Sequence, residues 1–187
     1  MKRKTKPFWQ IEMTAENLLS QCECYDKPYE NIDLMIESCK IDIISLDIDP
    51  NKLLGVLGVD KNGFRFIGYN KNMIPERILF TKAHELGHFI LEHELKGELL
   101  TDTQMKVKNP QETEANVFAA ALLMPKKAIL NLVQDCLGID RYFLLNSAGI
   151  SFEELTMQEK NLLIFQMRTK FHTSEEAIYW RLIDILQ

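Results

Sequence analysis

Long apolar runs are missing from this chain. No stretch of its 187 residues approaches the length of a membrane span. The basic start, Met1-Lys2-Arg3-Lys4-Thr5-Lys6, is not followed by an apolar segment of signal-peptide length. Neither export nor a membrane partner is expected, and the basic start reads as a solvated tail. Cysteine is scarce as well. Cys22, Cys24, Cys39 and Cys136 fit neither a zinc C-x-x-C pair nor a disulfide framework. Reduced thiols and a cytoplasmic location are the default. Excess positive charge is absent too: 22 Lys and Arg stand against 27 Asp and Glu, a net charge of −5. That balance argues against nucleic acid as a direct partner. What is present is ordinary for a globular protein, 46% hydrophobic and 26% charged residues, enough for one domain with a small appendage.

Proline is also absent between Pro75 and Pro110. The uninterrupted stretch contains His84-Glu85-Leu86-Gly87-His88, an H-E-x-x-H pattern. Residues four apart share one face of a helix, so His84 and His88 can each offer a ring nitrogen to one metal ion. Glu85 is rotated about 100° from His84 and stands beside the metal, where a general base for a water belongs. Pro75 suits the first turn of this helix. Leu79, Ala83, Leu86 and Ile90 form an apolar stripe away from the histidines. Gly87 falls near the metal face and leaves room for a close neighbour or a substrate. The bland reading is a surface helix with two solvated histidines. The apolar surroundings weigh against it, because buried histidines and glutamate need partners.

A catalytic zinc uses three protein ligands and an open position. A metzincin extension would require Gly at 91 and His at 94, where this chain has Leu and Glu. His93 is rotated about 140° from His88 on a straight helix and cannot join the same ion. It reads as a helix-end histidine near the C-terminal dipole. The third ligand is sought in a second helix opened by Asn109-Pro110 and stopped by Pro125. There Glu112 and Asn116 lie one turn apart, and Glu114 points nearly the opposite way. A carboxylate followed by a polar residue one turn later suits a ligand and the group that orients a neighbour. Glu112 is therefore the expected third ligand, Asn116 its orienting companion, and Glu114 the alternative ligand. Glu112 is equally placed for a capping box with Asn109.

Phe80-Thr81-x-Ala83-His84-Glu85-Leu86-Gly87-His88, followed by Glu112-x-x-Ala115-Asn116-x-Phe118-Ala119-Ala120-x-Leu122-Leu123-Met124-Pro125, resembles the ImmA/IrrE family of metallopeptidases. The matching blocks cover residues 65 to 125. The resemblance implies a pared-down thermolysin-like zincin. It implies one Zn2+ held by His84, His88 and Glu112, with Glu85 as catalytic acid and base. Manganese or iron would also accept such donors. It further implies a zinc-dependent endopeptidase that cleaves a helix-turn-helix transcriptional repressor, in mobile-element or stress regulation. The alternative is a non-catalytic, zinc-stabilised regulator that binds a repressor or DNA.

The rest of the chain points to an α+β fold. Residues 14–39 read as helical, with Pro28 opening the second of two helices. Residues 41–46, 53–59 and 64–69 read as strands, the last two forming a hairpin over Asp60-Lys61-Asn62-Gly63. A small antiparallel or mixed three-stranded sheet packed on the two zincin helices is expected. Residues 64–70 could supply an edge that holds extended substrate. The stretch 93–109 reads as a loop or short strands bordering the cleft. Two parts follow: a metallopeptidase core over 1–125 and a helical subdomain over 126–187. In the second, Thr156-x-x-Glu159 and Thr173-x-x-Glu176 are capping-box patterns that start a helix-turn-helix-like pair. His172 and Tyr142 are possible oxyanion donors, although a capping or core role is the simpler reading of each.

Overall fold

The computed structural model describes residues 6–49, 51–93, 99–102, 110–147 and 151–186. The chain divides into two compact units, Met1–Leu123 and Met124–Gln187.

The first unit is α+β. Helix α1 (Phe8–Gln21) and helix α2 (Ile32–Ser38) lead into strand β1 (Asp42–Leu46), strand β2 (Gly55–Val59) and strand β3 (Arg65–Asn70). Helix α3 (Pro75–Ile90), strand β4 (Leu99–Asp102) and helix α4 (Pro110–Leu123) follow. Pro75 opens α3 at the position where no amide donor is required. Pro28 does not open α2. It starts a turn in which the amide of Asn31 bonds the Pro28 carbonyl at 3.2 Å, and the helix begins only at Ile32.

The hairpin forms as the turn residues require. Asp60 Oδ1 accepts the amides of Asn62 and Phe64, both at 2.8 Å, and Gly63 supplies φ +87°. Strands β2 and β3 pair antiparallel from Val59–Arg65 to Gly55–Tyr69. The sheet is mixed, with order β1-β3-β2-β4, because β1 runs parallel to β3. The fourth strand comes from the stretch between the two long helices and pairs antiparallel with β2. This order corrects the expected substrate edge: β3 is hydrogen-bonded on both sides and cannot take another strand. Among the described residues, the edges of this sheet are β1 and β4.

Helix α3 is the centre of the unit. Thr81 through His88 are all buried, and the helix packs on β2, β3 and α4. Even Lys82 is enclosed, its ammonium 2.8 Å from Asp33 of α2 and 4.4 Å from the centre of the Tyr69 ring. At Gly87 the backbone of α4 comes close. A Cβ there would lie 3.0 Å from Phe118 Cδ1 and 3.2 Å from the carbonyl oxygen of Ala115. The close neighbour is thus a helix backbone, which cannot give way as a side-chain tip can.

The second unit is helical: α5 (Lys126–Leu137), α6 (Ile139–Ser147), a 3-10 turn over Phe152–Glu154, α7 (Met157–Phe171) and α8 (Glu175–Ile185). Thr156 and Glu159 form the expected capping box on α7. Glu159 also accepts from Arg141 Nε at 2.8 Å, and that guanidinium is the main cause holding its carboxyl down to about 2. The Thr173 box is not formed. Ser174 caps α8 through the amide of Ala177, while Thr173 is buried with its hydroxyl 3.4 Å from Met124 Sδ. One residue of shift separates the two, and both hydroxyls satisfy the cap pattern in sequence.

Alanine usually stabilises an exposed helix glycine by about 1 kcal/mol. At residue 87 the contact with the α4 backbone reverses the sign. Gly87→Ala is expected to lower unfolding free energy on the order of 1 kcal/mol in urea titrations. A gain of that size would mean that α3 and α4 are not held at this distance.

Candidate metal centre

The packing of α3 on α4 brings together side chains distant in sequence. His84 and His88 project from α3, and Glu112 and Asn116 from the first two turns of α4. His84 Nε2 lies 2.9 Å from His88 Nε2 and 3.2 Å from Glu112 Oε2. His88 Nε2 is 3.5 Å from the same oxygen. Ligands about 2.0–2.1 Å from a tetrahedral ion stand roughly 3.3 Å apart. The three separations bracket that value. Among the described residues these three form a group whose ligand atoms all lie within 4.8 Å of one another.

The chemistry of the donors fits a cation. Ring nitrogens and a carboxylate oxygen aim their electron pairs at one point, where they repel unless positive charge lies between them. The site is thus matched to a borderline ion such as zinc. Asn109, the expected cap of α4 and partner of Glu112 in the alternative reading, lies outside the described residues.

The outer nitrogens of both rings are engaged. His84 Nδ1 donates to Asn116 Oδ1 at 2.9 Å. His88 Nδ1 lies 2.9 Å from Nδ1 of His93. Glu114, the alternative third ligand, is not among the three donors. Its Oε2 is 3.1 Å from His93 Nε2, and its Oε1 accepts the backbone amide of Lys6 at 2.8 Å. Lys6 is therefore not part of a solvated tail, since its ammonium also bonds the carbonyl of Leu91 at 2.9 Å.

The position of His93 departs from the straight-helix argument for a physical reason. The helix ends in a Schellman turn: Glu92 N bonds Phe89 O at 3.0 Å and His93 N bonds His88 O at 2.9 Å. Glu92 occupies the left-handed position with φ 58°. This folds His93 back onto His88 instead of leaving it at the helix end. Glycine at 92 would have announced the turn; glutamate hides it.

Glu85 is 1% exposed and lies against the first residue of β2. A Cβ on Gly55 would fall 2.7 Å from Glu85 Oε1 and collide with Thr81 Cγ2. Gly55 thus leaves the space that the carboxylate fills, a role carried by no local sequence signal. A cleft of about 400 Å³ opens beside His88 and His93, bounded by Leu57, Val59, Arg65 and Phe89. His172 is exposed at the left-handed C-cap of α7, and Tyr142 lies on α6.

A family model described as the IrrE N-terminal-like domain (Peptidase_M78) matches residues 36–182. The chain belongs to this family. The ImmA/IrrE resemblance of the two motif blocks therefore extends over most of the chain, and membership in this peptidase family implies a metal and a protein substrate. The chain is also similar to "Uncharacterized immunity region protein 2" of Bacillus phage phi105. The two are 25% identical over 119 residues, covering 64% of this chain and 71% of that protein.

Removing one donor charge tests the convergence. Glu112→Gln is expected to weaken zinc retention at least tenfold in chelator competition, with the far-ultraviolet circular dichroism unchanged. Retention equal to the native protein would remove Glu112 from the centre.

Proposed function

We propose that this protein is a zinc-dependent endopeptidase that cleaves a helix-turn-helix transcriptional repressor in the cytoplasm and so relieves repression. The observation that carries the reading is the convergence of His84 Nε2, His88 Nε2 and Glu112 Oε2, with the buried Glu85 next to His84 in the same helix. Membership in a peptidase family supports the reaction class. Similarity to an immunity region protein of a phage supports a regulatory substrate. No single helix in the described residues is long and apolar enough to cross a membrane.

His84, His88 and Glu112 would hold the ion, and Asn116 would orient His84. Bound there, zinc would supply Lewis acidity, lowering the pKa of a water and polarising the scissile carbonyl. Glu85 then takes the proton of the attacking water. As the water oxygen bonds the carbonyl carbon and the C–N bond breaks, Glu85 returns that proton to the leaving amine. The missing side chain at Gly55 leaves the space in which the Glu85 carboxylate sits. Strand β4, at the sheet edge beside β2, is the place where an extended substrate segment would add by backbone hydrogen bonds. The second unit is a helical subdomain that follows the peptidase core.

The DNA-binding alternative loses its main support in α8. The only basic residue of that helix, Arg181, is 3% exposed and donates Nε to the Met124 carbonyl at 3.2 Å. It offers no charge to a phosphate, and a recognition helix depends on such charge.

Glu85→Gln separates binding from turnover. The variant is expected to keep near-stoichiometric zinc and to lose about 10²–10⁴-fold in cleavage of a helix-turn-helix repressor encoded beside it. Full cleavage by the variant would dismiss Glu85 as the base. Repressor binding without cleavage by the native protein would favour a regulator that acts by sequestration.

A further inference from the structure

We infer that His93 and Glu114 are positioning residues that fix which nitrogen of His88 carries its proton, with the backbone of Lys6 as the outermost link. The inference rests on the metal-centre reading and extends it to groups that touch no ligand position themselves.

The chain of hydrogen bonds starts at a carboxylate. An ionised Glu114 can only accept hydrogen bonds. Its Oε1 takes the amide of Lys6 at 2.8 Å, and its Oε2 faces His93 Nε2 at 3.1 Å. His93 therefore presents Nε2–H to Glu114. In neutral His93 this leaves a lone pair on Nδ1. That lone pair faces His88 Nδ1 at 2.9 Å and accepts a hydrogen bond from its N–H. With Nδ1 protonated, His88 presents a bare Nε2, the atom that meets His84 and Glu112. The opposite arrangement would turn a lone pair of His93 toward the carboxylate and send a proton of His88 into the donor cluster.

Burial makes the relay matter. Glu114 is 4%, His93 6% and His88 2% exposed, so water cannot readily substitute for a lost link. The two histidines are also treated alike: Asn116 on one side and His93 on the other each take an Nδ1–H, leaving both Nε2 atoms for the centre. The Schellman turn with Glu92 at φ 58° exists where it brings His93 onto this line. The Lys6 ammonium on the Leu91 carbonyl fastens the same helix end.

The test uses the full chain with ¹⁵N-labelled histidine. Long-range ¹H–¹⁵N spectra of metal-free protein should show His88 protonated at Nδ1. His93→Phe removes the acceptor; it should lose that signature and weaken zinc binding about 10–100-fold. His93→Gln, whose amide can both accept from His88 and donate to Glu114, should recover most of the affinity. A bare Nδ1 on His88 in the native protein would overturn the inference, as would zinc binding by His93→Phe within twofold of native. Native protein that binds no zinc, yet carries the Nδ1 proton, would refute the metal reading and leave the relay standing. Should His93→Phe not fold, the native spectrum and His93→Gln still decide: equal zinc affinity of the glutamine variant with a bare His88 Nδ1 refutes the relay.

Discussion

The close contact of α3 with α4 at Gly87 is the constraint on which the rest depends. Neither helix carries a complete site. His84 and His88 lie on one, Glu112 and Asn116 on the other, and the donor atoms meet because a glycine lets the Ala115 backbone approach within 3.2 Å of where a Cβ would be. The centre is therefore a product of tertiary packing, and its geometry is only as good as that contact. Burial of eight consecutive α3 residues shows how firmly the helix is held. A helix-interior glycine that costs local stability is retained where a larger residue would separate the two halves of the centre.

Around that contact the protein arranges supports at three distances. Gly55 at the start of β2 leaves the volume that Glu85 occupies. Asn116 and His93 hold the outer nitrogens of the two histidines. Glu114 and the Lys6 segment then hold His93. The N-terminal segment thereby becomes part of the same network as a helix more than a hundred residues away. Buried polar chains of this kind are stable only when each member is satisfied, which accounts for the strained turn at Glu92.

Much of this was legible in the sequence because it obeys short-range periodicity. The i, i+4 spacing of His84 and His88, the one-turn spacing of Glu112 and Asn116, the first-turn Pro75 and the Asp60–Gly63 turn each specify a local geometry. What was not legible depends on contacts or on disguised turns. Sequence spacing leaves His93 at a helix end, because glutamate at 92 does not signal the left-handed turn. A helical wheel offers Glu114 as an alternative ligand because it does not reveal the histidine that faces it. The role of Gly55 and the interior position of β3 follow from sheet pairing. The cap of α8 falls on Ser174 and not Thr173 because adjacent hydroxyls compete for one cap. No local pattern links Lys6 to Glu114, so its contact there is invisible in the sequence.

The most direct test of the central claim is X-ray absorption spectroscopy of the zinc-loaded native protein. Convergence of α3 and α4 predicts two imidazole nitrogens and a carboxylate oxygen at about 2.0–2.2 Å, with one further light atom completing a four-coordinate site. Sulfur scattering near 2.3 Å, an oxygen-rich shell without two imidazoles, or no metal uptake would contradict it.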